Sequence, residues 1–137
     1  MKYFITAVLL CVAGFVMANS PFVGRWINPS GDGVVEIYQE GNYYFGKLVE
    51  LIPAQRPDGS DFIDDKNPDK AKRTQKVLGL VNFKDFVLKG SKLEDGTLYD
   101  PKSGKTYDGK MWIEDGKLNV RGYIGFFYET QVWQRQR

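Results

Sequence analysis

The chain has 137 residues, with 19 Lys and Arg against 17 Asp and Glu, no histidine and one cysteine. That length holds one domain, and a net charge of +2 argues against nucleic acid or an anionic membrane as the main partner. Without histidine, Ser-His-Asp and Cys-His catalysis, histidine-ligated zinc, iron and copper sites, and the usual proton shuttle near neutral pH are all excluded.

The first segment reads as an export signal. Lys2 gives a short positive start, Tyr3 to Met17 carry no charge, and Val16-Met17-Ala18 places small residues at the −3 and −1 positions of a cleavage site. Residues 1–18 are expected to be removed, leaving 19–137 as a single domain in the periplasm or outside the cell. The stretch is too short and too poorly flanked to serve well as a transmembrane anchor. Cys11 lies inside it, and Leu10 is not the small residue that precedes a lipidated cysteine. The mature chain then has no disulfide, no thiol nucleophile and no thiolate ligand.

Beyond residue 18 there are only two alanines, Ala54 and Ala71, among many glycines and aromatics, which suits strands and tight turns. In chain order the strands are Val23–Ile27, Val34–Glu40 and Tyr43–Ile52. Pro29–Gly33 turns the first into the second, and Gly41-Asn42 closes a two-residue hairpin. A long connection runs from Pro53 to about Lys76. In it Asn67 is expected to cap one or two helical turns over Pro68 to Thr74, with Pro68 at the first helical position. Val77–Phe83 is the fourth strand. Phe86–Leu88 and Lys92–Tyr99 share one or two more, Asp100–Gly104 is a turn, and Lys105–Glu114 is a long strand. Asp115-Gly116 is a type I′ signal before Lys117–Ile124, and Tyr128–Arg135 ends the chain. About eight strands joined mostly by hairpins hide their edges best as an all-β, antiparallel up-and-down barrel with one short helix after the third strand. A β-sandwich competes, but its crossings need longer connections.

Few residues suggest chemistry. The acidic loop Asp58, Asp61, Asp64, Asp65, Asn67, Asp69 has the oxygen ligands for calcium, but Lys70 and Lys76 stand where an EF-hand needs glycine and glutamate. It reads as a solvated loop, and neither metal nor cofactor is expected. The pairs Glu94-Asp95 and Glu114-Asp115 beside Gly96 and Gly116 read as turn residues rather than a facing carboxylate pair. Near the end, Arg121 and Tyr123 share one face of their strand, and Gln131, Trp133 and Arg135 share one face of theirs. Facing inward together, Arg121, Tyr123 and Gln131 would line a pocket for the polar end of a ligand, with Glu36 or Glu50 as alternative partners of the guanidinium. Facing outward, Arg121 would belong to a surface stripe of stacked Arg and Trp. Tyr44, Tyr107 and Trp112 add aromatic surface for binding. Gly24-Arg25-Trp26 with Trp133-Gln134-Arg135 matches the Gly-x-Trp of lipocalin-like barrels, where an arginine from the last strand packs over the indole.

These segments together resemble the small exported bacterial proteins of domain of unknown function 2147. The resemblance is carried by Gly24-Arg25-Trp26, Asp64, Asn67-Pro68-Asp69, Arg73 and Leu78-Gly79-Leu80. It continues through Gly96-Thr97-Leu98-Tyr99-Asp100-Pro101, Gly104-Lys105-Thr106-Tyr107, Val120–Gly125 and Thr130–Arg135. It implies a lipocalin-like or calycin-like barrel and an exported product, and carries over no catalytic residue. Lys76 replaces a proline frequent in relatives, and Phe127-Tyr128-Glu129 replaces a glycine-containing turn.

The expected function is a non-enzymatic binding protein of the cell envelope. It would hold a small, partly hydrophobic or anionic molecule, without nucleic acid and without being embedded in a membrane. The alternative is a filled barrel that contacts an envelope protein. A histidine-independent enzyme using carboxylate, lysine or tyrosine ranks third. N-terminal sequencing of the protein from its host should begin at Asn19; an intact Met1 in the mature product would refute the cleavage.

Overall fold

The computed structural model describes residues 20–137. The expected signal peptide, with Cys11, lies outside the described residues. Eight strands follow one another: β1 (Gly24–Ile27), β2 (Gly33–Glu40), β3 (Tyr43–Leu51), β4 (Val81–Lys89), β5 (Lys92–Asp100), β6 (Lys105–Glu114), β7 (Lys117–Ile124) and β8 (Phe127–Arg135). Each pairs antiparallel with the next, and β1 pairs with β8, so the meander closes into an up-and-down barrel. Closure leaves no long free pair of sheet edges, the property that favoured this fold from the hairpin spacing.

Alternation sets the faces. Along β7, Leu118 and Val120 point inward and are buried, while Arg121 lies opposite Thr130 on the outside. The lower half of the barrel is packed solid. Phe86 is fully buried, and its ring takes the space in front of Gly96 and Gly109, which face each other across β5 and β6. A Cβ at Gly109 would come within 2.8 Å of the Phe86 ring, and one at Gly96 would overlap it, so both strands need glycine there.

The floor is built around Trp26, whose Nε1–H donates to the Phe22 carbonyl at 2.9 Å. The Arg135 guanidinium lies 4.1 Å above the indole centroid and donates to the Pro21 and Val23 carbonyls. Gly24 has φ +135, and a Cβ there would meet the guanidinium at 2.6 Å, so glycine is required at this corner for both reasons. The set Gly24, Trp26 and Arg135 thus closes the narrow end, and Trp133 lines the interior above it, edge-on to Phe83.

Several expected boundaries move. The fourth strand is Val81–Lys89 rather than Val77–Phe83, and it forms a hairpin with β5 through Gly90-Ser91. Asp85 (φ 62) and Asp95 (φ 65) adopt left-handed conformations inside β4 and β5, at interruptions of the regular register. Such interruptions break the alternation, which is why Phe83 looked like a strand end and Glu94-Asp95 like a turn. The expected helix shrinks to a single 3-10 turn, Lys70–Lys72, and Asp69 caps it by accepting from the Ala71 N–H. Asn67 is therefore not the helix cap. Its Oδ1 accepts from the Asp69 N–H two residues ahead, an Asx-type turn that feeds the true cap.

Replacing Trp26 by alanine empties the barrel floor and strands the Arg135 guanidinium. Equilibrium urea denaturation should show a loss of about 3–5 kcal/mol; a loss under about 1 kcal/mol would contradict the indole's role as the floor.

Candidate functional site

Up-and-down alternation brings the β1–β2 turn, the β3–β4 connection, the β5–β6 turn and the β7–β8 turn to the end opposite Trp26. There the barrel is hollow. A cavity of about 630 Å³ opens among these loops. Its apolar lining includes Leu48, Phe83, Leu98, Val120 and Trp133. Its polar lining includes Gln131 and Tyr107, which pair with Val120 and Leu98 across the ladder, together with Glu129, Arg56 and Lys102. A volume of this order, with mixed apolar and polar walls, fits one small amphipathic molecule.

The β3–β4 connection is held down at one buried carboxylate. Asp64 is fully buried and accepts from Asn67 Nδ2 (2.8 Å), Gln75 Nε2 (3.0 Å) and the Tyr99 hydroxyl on β5 (2.6 Å). Burial opposes ionisation of Asp64, but the hydrogen bonds from Asn67, Tyr99 and Gln75, helped by the charge of Lys72, outweigh it and hold its pKa below the ordinary value. Burial, and then the same bond to Asp64, push the Tyr99 phenol upward. The solvated acidic loop read from the sequence thus has two members, Asp64 and Asn67, that are buried. With its backbone hydrogen bonds to the Gln75 carbonyl and from the Asn67 N–H, Asp64 fastens the connection to the barrel wall. Phe62 from the same connection packs against the core and lines the cavity.

At the rim, burial works against ionisation of Asp32, but hydrogen bonds from Lys102, Asn28 and Ser30 draw its pKa down to about 2. This joins the β1–β2 and β5–β6 turns across the mouth. Asn82 sits between the cavity and a smaller cleft of about 320 Å³ beneath the connection. It is buried, and its Oδ1 has no partner among the described groups.

The expected site residues separate into two sets. Gln131 and Tyr107 line the cavity, together with Trp133. Gln131 also accepts from the Trp133 Nε1–H at 3.0 Å. Arg121 and Tyr123 do not share that lining. The register pairs Arg121 with Thr130 and Tyr123 with Tyr128, so both lie on the face opposite Gln131. Arg121 stacks between Trp112 (4.9 Å) and Tyr128 (4.2 Å) and donates to Thr130 Oγ1 at 2.7 Å. It is the outer stripe, and Trp112 belongs to that stripe rather than to the cavity. Glu36 and Glu50 are engaged elsewhere, with Arg25 and Gln136. Tyr44 is buried in the packed lower core against Phe22 and does not reach the cavity. Sequence reasoning overlooked Leu98, Val120, Asn82 and Glu129. The alternation of Glu129, Gln131 and Trp133 along β8 pointed to the last of these.

A family model described as "Uncharacterized protein conserved in bacteria (DUF2147)" matches residues 24–135. Among solved structures, the barrel is similar to protein HP1028 from the human pathogen Helicobacter pylori, described as belonging to the lipocalin family. The TM-score is 0.73 and the sequence identity 18%, over 85% of this chain and 83% of that one. At that identity the likeness concerns the fold. No curated protein matches the chain.

The Asp64–Tyr99 bond sets a pH window. A carboxylate with a lowered folded pKa contributes fully above its unfolded value and loses the contribution as pH falls through the folded one. A phenol with a raised pKa contributes below about 10 and loses the contribution as pH rises. Tyr99→Phe should therefore cost about 1.5–3 kcal/mol at neutral pH. It should also flatten the fall of stability at both the acid and the alkaline side, read from urea midpoints across pH. An unchanged midpoint at neutral pH would mean the connection is held by other contacts.

Proposed function

The chain belongs to the DUF2147 family and has a lipocalin-like barrel, and from that premise we propose that it is an exported, non-enzymatic protein that binds a small, partly hydrophobic molecule in the open half of the barrel. The observation that carries this reading is the cavity of about 630 Å³, lined by apolar Phe83, Leu98, Val120 and Trp133 and by polar Gln131 and Tyr107. A filled barrel would have favoured a purely structural or interaction role. The hydrocarbon end of the ligand would sit on Trp133 and Leu98, and its polar end would meet Gln131, Tyr107 and the loops. The rim carries charges of both signs, several already paired, such as Arg56 with Asp65 and Lys102 with Asp32. Its polar group therefore gains more from hydrogen bonds than from net charge.

Proton-transfer chemistry gains little support. The two cavity-lining groups with shifted pKa values, Asp32 and Tyr99, are pushed away from neutrality, one down to about 2 and the other up. A general acid or base works best near the operating pH. The fastened β3–β4 connection acts in this reading as a fixed wall of the mouth.

Native mass spectrometry of protein from its host should detect a co-purified molecule, and the neutral fluorescent probe N-phenyl-1-naphthylamine should bind. Gln131→Trp fills the cavity and should weaken probe binding at least about tenfold, roughly the worth of one lost apolar contact set. Arg121→Met alters only the outer stripe. It should leave probe binding unchanged and cost about 1 kcal/mol of stability. Absence of both a co-purified molecule and probe binding would refute the proposal, and loss of binding in Arg121→Met alone would relocate the site to the outer face.

A further inference from the structure

The β7–β8 hairpin ends in a tip that burial energetics do not explain. Phe126 is 100% exposed, Phe127 81%, Tyr128 58% and Ile124 52%. The run Gly122-Tyr123-Ile124-Gly125-Phe126-Phe127-Tyr128 carries no charge. A two-residue turn at Gly125-Phe126 needs nothing of this kind, since polar residues serve such turns without exposing apolar surface. Isolated exposed apolar residues are ordinary, but a contiguous group of this size marks a contact.

Three features describe what the contact would be. The group is convex, at the apex of a hairpin, so a protein partner would have to supply a pocket, whereas a bilayer interface accepts a wedge of aromatic rings as it stands. It stands at the open end of the barrel, where Ile52 at the start of the β3–β4 connection is also exposed. Cations stand at its base. Arg121 stacks on Tyr128, and Lys105 opens β6, the strand paired with β7, at the same end of the barrel. Rings in the acyl boundary with Lys and Arg at headgroup depth is the arrangement of interfacial anchors.

We propose that the Phe126-Phe127 tip inserts into a phospholipid bilayer interface and holds the barrel with its open mouth toward the membrane. The near-neutral net charge does not oppose this, because the attachment is apolar and the cations act only locally. The chain remains peripheral, and among the described residues no helix is long and apolar enough to cross a membrane. Neither Phe126 nor Phe127 lines the cavity, so the inference is independent of what the cavity holds.

The test uses residues 19–137, which contain all eight strands and the whole described core. Vesicles of phosphatidylethanolamine and phosphatidylglycerol are floated with the wild type and with a Phe126→Ser/Phe127→Ser variant. The wild type should float, and the variant should bind at least tenfold more weakly while its thermal midpoint and its binding of N-phenyl-1-naphthylamine stay the same. If the double variant misfolds, Phe126→Ser alone gives the comparison, because that ring touches solvent only. A wild type that stays with the soluble fraction, a variant that floats equally well, or binding abolished by high salt alone would overturn the proposal. So would a wild-type dimer on gel filtration that the variant converts to monomer, since the tip would then bind a second copy of the chain.

Discussion

Everything in this barrel depends on the seam between its first and last strands. An eight-stranded meander is stable as a barrel only if strand one finds strand eight, and here the shared ladder pairs only Trp26 with Arg135 and Ile27 with Gln134. So short a ladder contributes few hydrogen bonds, and side chains must complete it. Arg135 does so by covering the Trp26 indole and donating to two carbonyls of the segment before β1, while the indole donates to a third. The guanidinium is held by stacking and by backbone oxygens while Arg135 stays exposed, so closing the seam buries no charge.

The seam also explains the division of the interior. Anchoring the narrow end with Trp26, Phe22 and Tyr44 lets the lower half pack around the buried Phe86, for which Gly96 and Gly109 make room. Higher up, Leu98, Val120 and Gly122 line the walls beside Phe83, Tyr107 and Trp133, and a cavity remains between them. The loops then have to hold the mouth open. Asp64 does this for the long connection and the Asp32–Lys102 pair for the two turns, each through a carboxylate stabilised in its ionised form by several donors. A cavity flanked by fixed loops is suited to binding without large rearrangement.

The two faces of β7 and β8 have separate uses. Inward residues Glu129, Gln131 and Trp133 give the cavity its mixed wall. Outward residues Arg121, Tyr128 and Thr130 make a stacked, hydrogen-bonded stripe that stiffens the hairpin bearing Phe126 and Phe127. A stiff hairpin keeps its apolar tip extended rather than folded back on the barrel.

The sequence by itself determined the architecture. Short runs of alternating residues separated by Gly41-Asn42, Asp115-Gly116 and similar turns admit few arrangements other than a meander. Such hairpin signals are local and read residue by residue, and the likeness of Gly24, Trp26 and Arg135 to the Gly-x-Trp of lipocalin-like barrels marked the closure. Local signals failed where an interruption intervened: Asp85 and Asp95 adopt left-handed conformations that alternation cannot reveal, so the β4–β5 hairpin was blurred. They failed again at Asn67, whose role depends on Asp64 and hence on Tyr99, 35 residues from that carboxylate in sequence. The site was legible only in part. Alternation correctly grouped Gln131 with Trp133 and Arg121 with Tyr123, yet a strand pattern does not say which group faces inward. That was decided by the tertiary register of β7 against β8, which sets Arg121 opposite Thr130 and turns the whole pair of faces at once. The hollow upper half was likewise a property of the assembled walls, since an empty volume belongs to no single residue and leaves no mark in the chain.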